Sequence, residues 1–335
     1  MYKSKKIMFL VSETPMHAGS GSDLGIVDLP IQRERHTGFP KIEASSLKGA
    51  IRESFEGIDK FDVEGKSIQI GGKADNKDLQ IVFGPEDTDN AHAGAIGFSD
   101  ARLLLFPVKS MKGIFAWVTC PKILSQFKRD MDLIGKDVKL PQFPKLGKNN
   151  CYSNSEGLAI EIKKSNEKFI ALEEYTFACN KIEQDFIIEN KNFGEWLSEN
   201  AVNKESAWAT KIKTDIVVLS DDDFKDFVEL STEVVTRTKI NNETGTVEKG
   251  ALFTEEYLPA ETVMYSLAFA SDFFLNKEIK KNYALSKLLE IVKPENKTNE
   301  LVMEFLEKGI SALHNLVQIG GNSTLGKGLT HIKIV

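Results

Sequence analysis

The segment that most constrains the fold of this 335-residue chain is an aperiodic stretch of about thirty residues, 16–46, with the sequence MHAGSGSDLGIVDLPIQRERHTGFPKIEASS. It is rich in Gly, Ser, Asp and Pro and shows neither the alternation of a strand nor the spacing of a helix. Residues 5–14, just before it, predict a strand that Pro15 ends. Because an ordered domain rarely keeps so long a loop without a use for it, we expect the loop to be functional.

A helix is predicted directly after this loop. Ser45 or Ser46 is a suitable N-cap, and apolar residues at helical spacing continue through Phe55. Residues 59–92 are polar and contain glycines, which is more typical of an insertion or a loop than of a core.

Paired strands are predicted next. Residues 95–106 and 113–119 have the composition of two buried strands. The middle third of the chain, 121–230, is of mixed character, with a helix that Ser220 opens in a capping box. Residues 232–259 then predict a long hairpin with its turn at 241–245.

The chain is expected to end in a helix and a strand. Apolar residues recur at helical spacing from Leu306 to Val317, glycines at 320 and 321 predict the helix stop, and residues 329–335 predict the strand. Strand, helix, paired strands, late helix and final strand are the element order of a split βαβ core. The predicted fold class is therefore α+β and ferredoxin-like with insertions, a scaffold that many functions share.

The net charge limits what the whole surface can bind. Lys and Arg number 43 against 49 Asp and Glu, so the net charge is -6. A phosphate polyanion needs cations on the surface that meets it, which argues against a generally basic nucleic-acid coat protein. Any RNA or DNA site must therefore be local.

Targeting and cysteine patterns predict a cytoplasmic protein with no membrane partner. The first apolar run ends too early for a secretory signal, and no stretch approaches the roughly 20 apolar residues that cross a bilayer. Cys120, Cys151 and Cys179 show no CxxC spacing. We expect free thiols and, without a His/Cys cluster or an HExxH motif, no permanently bound metal.

Two glycine-rich loops are similar to nucleotide sites but depart from them. Residues 19–25 have the spacing GxGxxxG in place of GxGxxG, and no helix can start after them to hold a pyrophosphate. In residues 321–328, Gly328 stands where a Walker A loop needs Ser or Thr. No nucleotide cofactor is therefore expected. Two interpretations stay open for the second loop: a phosphate cradle that includes Lys327, or a tight turn between helix and strand.

Cations gather between residues 33 and 53, in the second half of the long loop and the following helix, where five of them stand against three acids. Either this is an ordinary solvated face or it meets phosphates. The cations are Arg33, Arg35, Lys41, Lys48 and Arg52, and the acids are Glu34, Glu43 and Glu53.

Candidate chemistry rests on a few residues of the loop and the hairpin end. Asp28, before Leu29-Pro30, is either an Asx turn or a carboxylate that acts on an RNA 2′-hydroxyl or holds a divalent cation. His17 fits a turn or an RNA contact better than a general base. Glu255, Glu256 and Tyr257 end the hairpin, where a solvated edge is the default interpretation.

Four blocks together resemble one known family along nearly the full chain. They are TPMHAGSGSDLGIVDLPIQRERHTGFPKIEASSLKGAIRE, GAIGFSDARLLLFPVKSMKGIFAWV, residues 232–259 and the terminal GGNSTLGKGLT. The family is the backbone RAMP subunit of type III-B CRISPR effector complexes, the Cmr complexes. The run VDLPIQRERHTGFPKI is long and specific to that family.

The resemblance implies a hand-shaped protein in a single domain, 1–335, with an RRM-like palm, inserted helical regions and a protruding hairpin called the thumb. Copies of such a subunit stack in a filament along a CRISPR guide RNA, and target RNA is cut beside each thumb. The implied palm is approximately 1–58, 94–120 and 260–335, the insertions approximately 59–93 and 121–231, and the thumb approximately 232–258.

The resemblance also implies roles for single residues. Asp28 matches the catalytic aspartate of a GxVD loop, and His17 matches the histidine of a PxH turn. Glu255 and Tyr257 match an EEY site near the cut. Lys48 and the loop Gly326-Lys327-Gly328 match positions that hold the guide backbone. Beyond the resemblance, the further residues expected to bind RNA are Arg33, Arg35, Ser46, Arg52, Arg237 and Lys239.

The implied function is cleavage of guide-paired target RNA at regular intervals in antiviral defence. A divalent cation, Mg²⁺ or Mn²⁺, is expected as the cofactor, with Asp28 as its transient ligand. Expected partners are the guide RNA, the target RNA, further copies of the chain and other type III-B subunits. The alternative is a non-catalytic RNA-binding scaffold subunit of a CRISPR effector, and a nucleotide-binding enzyme is the weaker rival.

Overall fold

A sheet of thirteen strands forms the framework of the chain, counted over the residues that this computed structural model describes. Both α-helices and strands build the fold, so the coarse prediction of a mixed α and β protein is confirmed. The described residues are 2–22, 25–71, 76–86, 92–144, 146–162, 167–183, 186–241, 243–274, 283, 286–292 and 297–335.

Strands outnumber helices along the described ranges. The strands are β1 (Ser4–Ser12), β2 (Lys41–Ile42), β3 (Lys60–Val63), β4 (Lys66–Gln69), β5 (Ile96–Phe98), β6 (Ala101–Lys109), β7 (Phe115–Thr119), β8 (Val138–Lys139), β9 (Asn150–Tyr152), β10 (Ile160–Ile162), β11 (Glu167–Leu172), β12 (Tyr175–Asn180), β13 (Ile187–Ile188), β14 (Lys191–Asn192), β15 (Ile216–Leu219), β16 (Glu233–Ile240), β17 (Val247–Tyr257), β18 (Val263–Ala270), β19 (Leu316–Gln318) and β20 (Leu329–Ile334). The helices are α1 (Ala44–Glu56), α2 (Lys77–Phe83), α3 (Pro121–Leu133), α4 (Phe193–Asn200), α5 (Trp208–Lys211), α6 (Asp221–Leu230), α7 (Lys287–Ile291) and α8 (Thr298–Ala312), with a 3-10 turn at Ser323–Leu325.

Four neighbouring strands towards one end of the large sheet are connected in sequence through two long helices. β1 pairs antiparallel with both β18 and β20, and β18 pairs antiparallel with β6. Helix α1 lies between β1 and β6 in the chain, and α8 lies between β18 and β20. The spatial order β20, β1, β18, β6 therefore places the last strand beside the first.

Helix α1 buries the apolar face that its spacing predicts, through Leu47, Ile51 and Phe55. It packs closely on α8, because a Cβ added at Gly309 would lie 2.2 Å from the ring of Phe55. At this distance the two atoms would overlap, so only glycine allows the two helices to approach here.

The predicted N-cap of α1 is wrong. The helix begins at Ala44, so Ser45 and Ser46 lie in its first turn, and Glu43 at the N-cap makes no side-chain cap bond. The free amide of Ala44 instead donates to Oδ1 of Asp100 at 2.9 Å. A carboxylate from a distant part of the chain thus does what a local serine was expected to do.

Asp100 also explains why residues 95–106 are two strands and not the single strand predicted. β5 and β6 both pair with β18, and the chain breaks between them at Ser99 and Asp100. The Oγ of Ser99 accepts the amide of Leu267 at 2.9 Å, so polar side chains occupy the break.

The region 59–92 is more ordered than a polar loop. β3 and β4 form a hairpin, α2 follows, and Phe61, Val63 and Leu79 are buried in the core. The apolar residues of this region occur in short runs between charged residues, so its overall composition did not indicate a packed core. Residues 72–75 and 87–91 of this region lie outside the described residues.

The last helix ends earlier than its apolar spacing suggests. His314 and Asn315 have φ of 54° and 61°, and the amide of Asn315 donates to the carbonyl of Ile310 at 2.9 Å. This left-handed C-terminal turn places Val317 in β19, so the predicted helix stop at 320 and 321 is wrong.

The middle third adds small strands and helices to one end of the large sheet. The predicted cap at Ser220 is confirmed, since its Oγ accepts the amide of Asp223 at 3.1 Å. Among the described helices, none is long and apolar enough to cross a lipid bilayer.

The predicted hairpin is present as β16 and β17, which form a separate two-stranded sheet among the described strands. Its described register runs from Glu233 opposite Tyr257 to Ile240 opposite Val247. The far part of the hairpin has exposed apolar side chains, among them Ile240 and Leu252, whereas its base is buried. The base is where the long loop meets the hairpin.

Candidate functional site

Three distant segments meet at the base of the hairpin. Met16 and Leu258 exchange two backbone hydrogen bonds, which join the start of the long loop to the end of β17. Further along the loop, the amide of Leu29 donates to the carbonyl of Thr254 at 3.0 Å. The glycine-rich segment near the C-terminus joins them, because the amide of Gly321 donates to the carbonyl of His17 at 2.9 Å.

Side chains at the end of β17 point alternately to two sides, as in any strand. Glu255 and Tyr257 face His17 and the C-terminal segment, with which they share hydrogen bonds and ring contacts. Thr254 and Glu256 instead contact loop residues 28–33. The sequence-predicted residues are thus brought together, but on two separate faces of one strand.

Asp28 is tied to the hairpin by Thr254. Its Oδ2 accepts the backbone amide of Thr254 at 2.7 Å and the Oγ1 hydroxyl at 2.8 Å. The amide of Asp28 donates in turn to Oγ1 of Thr254 at 3.0 Å. Both contacts of the carboxylate fall on Oδ2, and Oδ1 makes no hydrogen bond to the part of the chain that the structure describes.

The exposed carboxyl of Asp28 has a lowered pKa. The main cause is the hydrogen bond from the Thr254 amide, followed by that from the Thr254 hydroxyl, because both favour the ionised form. Asp28 therefore carries its negative charge throughout the neutral range and is a poor proton acceptor there. This favours an electrostatic or ligand role for Asp28 over a general-base role.

Glu255 is the centre of the second face and is only 5% exposed. Its Oε2 accepts the hydroxyl of Tyr257 and the Nε of Arg237, the latter at 3.3 Å. Its Oε1 accepts the Nδ2 of Asn322 at 2.6 Å. The Tyr257 hydroxyl also accepts Arg237 at 2.5 Å and Asn322 at 3.0 Å, so each member has at least two partners.

The pKa values of this cluster follow from its hydrogen bonds. Burial raises the pKa of the Glu255 carboxyl, but the Tyr257 and Asn322 hydrogen bonds and the nearby His17 and Arg237 outweigh it and lower the pKa overall. Burial and the Glu255 carboxylate raise the pKa of Tyr257. The hydrogen bond to Tyr257 is the first cause of the raised pKa of Arg237. Glu255 is thus charged and Tyr257 is a neutral donor at neutral pH.

His17 lies against this cluster in a fixed orientation. Its Nδ1 is 2.7 Å from the carbonyl of Glu256, which can only accept, so Nδ1 carries a hydrogen. Nε2 is 3.6 Å from Oε1 of Glu255, an ion-pair distance when the ring is protonated. A Cβ at Gly320, where φ is +85°, would lie 2.3 Å from the His17 carbonyl, so only glycine fits beside His17.

Lys327 completes the cluster from the C-terminal segment. Its Nζ lies 4.9 Å from the centre of the Tyr257 ring, a cation-π distance. Gly326 and Gly328, on either side of it, have φ of 71° and 75°. The loop is therefore a chain of tight turns that presents Lys327 at the hairpin base.

Glu256, on the other face, is 5% exposed and entirely engaged. Its Oε2 accepts the amide of Ile31 at 3.0 Å, and its Oε1 pairs with Arg33 at 2.5 Å and accepts the hydroxyl of Thr232 at 2.7 Å. Arg33 also donates to the carbonyls of Gly38 and Val228. The expected RNA contact by Arg33 thus has to compete with three internal acceptors.

The expected RNA-binding residues of α1 also have internal partners. Lys48 donates to the carbonyl of Ile96 at 3.2 Å, and burial lowers its pKa, as does the nearby Arg52. Arg52 donates to the carbonyl of Gly84 at 2.7 Å and pairs with two glutamates. Ser46 is exposed and accepts Nε2 of Gln32. These three residues lie on α1, and none of these contacts is with the hairpin itself.

Arg35 and Lys239 are the expected RNA contacts with the greatest freedom. Arg35 is exposed in the turn before Gly38. The Lys239 side chain, on the outer part of the hairpin, is 73% exposed and pairs with Glu248 at 2.8 Å. Arg237, in contrast, lies within the buried cluster and orients Glu255 and Tyr257.

The sequence alone indicates no role for Thr254, Glu256 or Asn322. Each lies within one of the four family-like blocks, but its use depends on contacts with distant parts of the chain. The only local sign is the strand alternation of TEEY, which places Thr254 with Glu256 and Glu255 with Tyr257. That pattern predicts two faces but not what they touch.

The donor set at the site suits at most a transient cation. Among the described residues, no group of three or more His, Cys, Asp or Glu side chains could hold a metal ion. Asp28 offers a single exposed carboxylate whose Oδ1 has no hydrogen bond to a described residue. Mg²⁺ commonly binds through one or two carboxylates and substrate phosphates, so these residues fit an ion shared with an RNA phosphate.

Known relatives match the whole length of the chain. A sequence model of the RAMP superfamily matches residues 9–331. The CRISPR system Cmr endoribonuclease Cmr4 of Pyrococcus furiosus is 38% identical over 334 residues, which cover 97% of this chain and 94% of that protein. The CRISPR system CMR subunit Cmr4 of Saccharolobus solfataricus is 25% identical, with coverage of 99% and 97%.

Solved structures of Cmr proteins are similar to this chain in fold. The crystal structure of oligomeric Cmr4 from Pyrococcus furiosus has a TM-score of 0.63 at 30% identity and covers 98% of this chain and 97% of that one. A chain of the type III-B Cmr-beta complex bound to cognate target RNA has a TM-score of 0.62, with coverage of 99% and 98%. At 20% identity this second likeness concerns the fold alone. The chain therefore belongs to the RAMP superfamily and is a relative of the Cmr4 proteins, as its sequence motifs predicted.

Proposed function

We propose that this chain is the repeating subunit of a type III-B effector in antiviral defence, which holds a guide RNA and cleaves the target RNA paired with it. One observation carries the proposal: the carboxylate of Asp28 is fixed by Thr254 at the base of a protruding hairpin and keeps Oδ1 free of hydrogen bonds to described residues. The relative at 38% identity, named an endoribonuclease, supports it.

The finer fold assignment is part of this proposal. We propose a ferredoxin-like, RRM-like palm, and the strand order β20, β1, β18, β6 with α1 and α8 as connections supports it. The hairpin β16–β17 would be the thumb, and its exposed apolar residues suit contact with the faces of bases. The insertions would be 59–93 and 121–231.

In the proposed mechanism, the hairpin interrupts the guide-target helix and frees one target nucleotide. Its 2′-oxygen can then align with the adjacent phosphorus and its leaving 5′-oxygen, an alignment that a continuous A-form helix prevents. Most of the rate gain would come from this positioning. Because hydrogen bonds from Thr254 lower its pKa, Asp28 would stay ionised beside the phosphate and would hold a cation there, and it would not act as the base. As the 2′-oxygen bonds to phosphorus and the P–O5′ bond breaks, solvent would take the 2′-hydroxyl proton and would protonate the leaving 5′-oxygen.

A divalent cation, Mg²⁺ or Mn²⁺, would supply stabilisation of charge at the scissile phosphate, and Asp28 is the residue that would hold it. Glu255 and Tyr257 would form the wall beside the cut and keep Arg237 in place. His17 would lie against that wall through its bond to the Glu256 carbonyl. We propose these three as supporting residues of the site.

RNA would be held at its phosphates by the cations that the site presents. We propose Lys327, between Gly326 and Gly328, as the contact nearest the cut, and Arg35 and Lys239 as contacts farther along. Lys48, Ser46 and Arg52 would contribute from α1. Further copies of the chain would extend the path, in keeping with the oligomeric state of the Pyrococcus protein.

The test is target cleavage by the complex assembled with guide RNA and the other subunits. Asp28→Ala should lower the single-turnover rate by about 100-fold or more, while target affinity stays near that of the unchanged complex. Asp222→Ala, an exposed aspartate on α6, is the matched control and should cut normally.

Two outcomes would count against the proposal. If the Asp28→Ala complex cut its target at the unchanged rate, this chain would be a non-catalytic scaffold and another subunit would cut. If Asp28→Ala lost target affinity in proportion to its rate, Asp28 would be an RNA-binding residue and not a catalytic one.

A further inference from the structure

The face of β17 that carries Thr254 and Glu256 holds loop residues 28–33 at successive points. The backbone contributes two contacts, from Leu29 to the Thr254 carbonyl and from Glu256 to the Leu29 carbonyl, each at 3.0 Å. Side chains add contacts on either side of Leu29, from Thr254 to Asp28 and from Glu256 to Ile31. The loop is therefore clamped at both ends of a short segment.

At one end of the clamp, Thr254 determines how the Asp28 carboxylate lies. Its hydroxyl donates to Oδ2 and accepts from the Asp28 amide, so side chain and backbone of Asp28 are fixed by one oxygen. The Thr254 amide adds a second donor to the same Oδ2. With Oδ2 engaged twice, the carboxylate can rotate little, and Oδ1 keeps one direction.

At the other end of the clamp, Glu256 joins the loop to both strands of the hairpin. Glu256 lies on β17, while its partner Thr232 directly precedes β16. The same carboxylate accepts the amide of Ile31 and pairs with Arg33. A shift of the hairpin base relative to the loop would break the two loop contacts of this buried charge, those with Ile31 and Arg33, which is costly.

We infer that Thr254 and Glu256 are positioning residues, which fix the Asp28 carboxylate at a set place relative to the hairpin and thereby help determine where the RNA is cut. This inference rests on the proposed function. Neither residue touches the reacting atoms: Thr254 acts through Asp28, and Glu256 acts through Ile31 and Arg33. The hairpin and Asp28 consequently move as one unit, so each inserted hairpin brings its own carboxylate to the freed nucleotide.

The test compares Thr254→Val with Thr254→Ser in the assembled complex. Valine has the shape of threonine but no hydroxyl, whereas serine keeps the hydroxyl. Thr254→Val should lower the single-turnover cleavage rate by about 10- to 100-fold, a loss typical of removing an outer hydrogen-bond partner. Target affinity should not change, and Thr254→Ser should restore most of the rate.

The chain provides a matched control on the facing strand. Thr236 is the direct partner of Thr254 in the hairpin register and is exposed, so Thr236→Val makes the same chemical change away from Asp28. It should leave the rate unchanged. Glu256→Gln, which keeps an acceptor for Ile31 but loses the charge paired with Arg33, should also slow cleavage and blur the position of the cut.

The outcomes separate this inference from the proposed function. If Thr254→Val cuts as fast as the unchanged complex while Asp28→Ala is inactive, the inference is overturned and the proposed function stands. If Thr254→Ser is as slow as Thr254→Val, the hydroxyl is not the cause, and the inference is also overturned. If Asp28→Ala cuts normally, the proposed function fails and the inference with it.

Discussion

The two faces at the end of β17 use the same kinds of side chain for different purposes. On one face, Glu256 directs every contact to the loop and to Thr232, and it is closed to any ligand. On the other face, Glu255 accepts hydrogen bonds from Tyr257, Arg237 and Asn322 of the C-terminal segment. His17 and Lys327 lie beside this cluster. We therefore propose separate roles for the two neighbouring glutamates, with Glu256 in positioning and Glu255 in the wall of the site.

This difference shows how a strand end can serve both structure and chemistry. Alternation sends successive side chains to opposite sides, so a run of four residues can clamp a loop and build a site at once. The two roles are separate only if changes on the two faces have different consequences. Glu256→Ala and Tyr257→Phe test that separation, and a third substitution, at Glu261, tests a contrast with Glu255.

Glu256→Ala should be the most damaging change for stability. It removes the partner of Arg33 and leaves the amide of Ile31 without its acceptor, so we expect a loss of about 3 kcal/mol in the free energy of unfolding. Urea unfolding measures it, with Glu53→Ala on the exposed side of α1 as the control. A loss no larger than that of the control would mean that Glu256 does not clamp the loop.

Tyr257→Phe should have a smaller effect, limited to the other face. The hydroxyl that donates to Glu255 and accepts from Arg237 and Asn322 is lost without a change of ring shape, at a cost of about 1 to 3 kcal/mol. The same unfolding measurement applies. In a Glu256→Ala background, the loss should add to that of the first change, and strong non-additivity would show that the faces are coupled.

The third substitution concerns Glu261, whose pKa shifts in the direction opposite to that of Glu255, and we expect it to change stability least. At Glu255, hydrogen-bond donors and nearby positive charges outweigh burial and lower the pKa of the carboxyl. At Glu261, burial, with a contribution from Glu13, raises the pKa from 4.5 to about 7. The folded chain thus binds a proton at Glu261 more readily than the unfolded chain, so stability from this group is present below pH 4.5 and is lost as pH rises through about 7.

Glu261→Gln cannot ionise, so it should remove that loss. Its stability relative to the unchanged chain should increase between about pH 5 and about pH 8, as measured by urea unfolding at both values. An equal difference at the two pH values would show that Glu261 has no raised pKa in the folded chain. Glu53→Gln, on an exposed helix face, should show no such dependence.

Local signals predicted much of the fold and part of the site. The first strand, the helix after the loop, the cap at Ser220 and the hairpin followed from periodicity and turn chemistry, because these depend on neighbouring residues. The early end of α8 did not, since two left-handed residues, His314 and Asn315, override the apolar spacing. Resemblance supplied the roles of Asp28, His17, Glu255 and Tyr257, which remain proposals.

The partners of the predicted cations could not be read from the sequence. Arg33 and Arg52 belong to a charged loop and helix that suggested a phosphate-binding face, yet their guanidinium groups contact carbonyls and carboxylates far along the chain. The same holds for Asp100, which caps α1 from another part of the fold. Contacts between residues far apart in the chain determine which charged side chains are available to a ligand. Such contacts cannot be derived from composition.

The most direct test of the central claim uses complexes assembled from mixtures of unchanged and Asp28→Ala subunits on one guide RNA. If each subunit cuts the target beside its own hairpin, the extent of cutting at every position should fall in proportion to the fraction of Asp28→Ala subunits, while target binding stays constant. Complexes built only from Asp28→Ala subunits should leave the target intact. Undiminished cutting at all positions in those complexes would contradict the assignment of Asp28 as the residue that cuts.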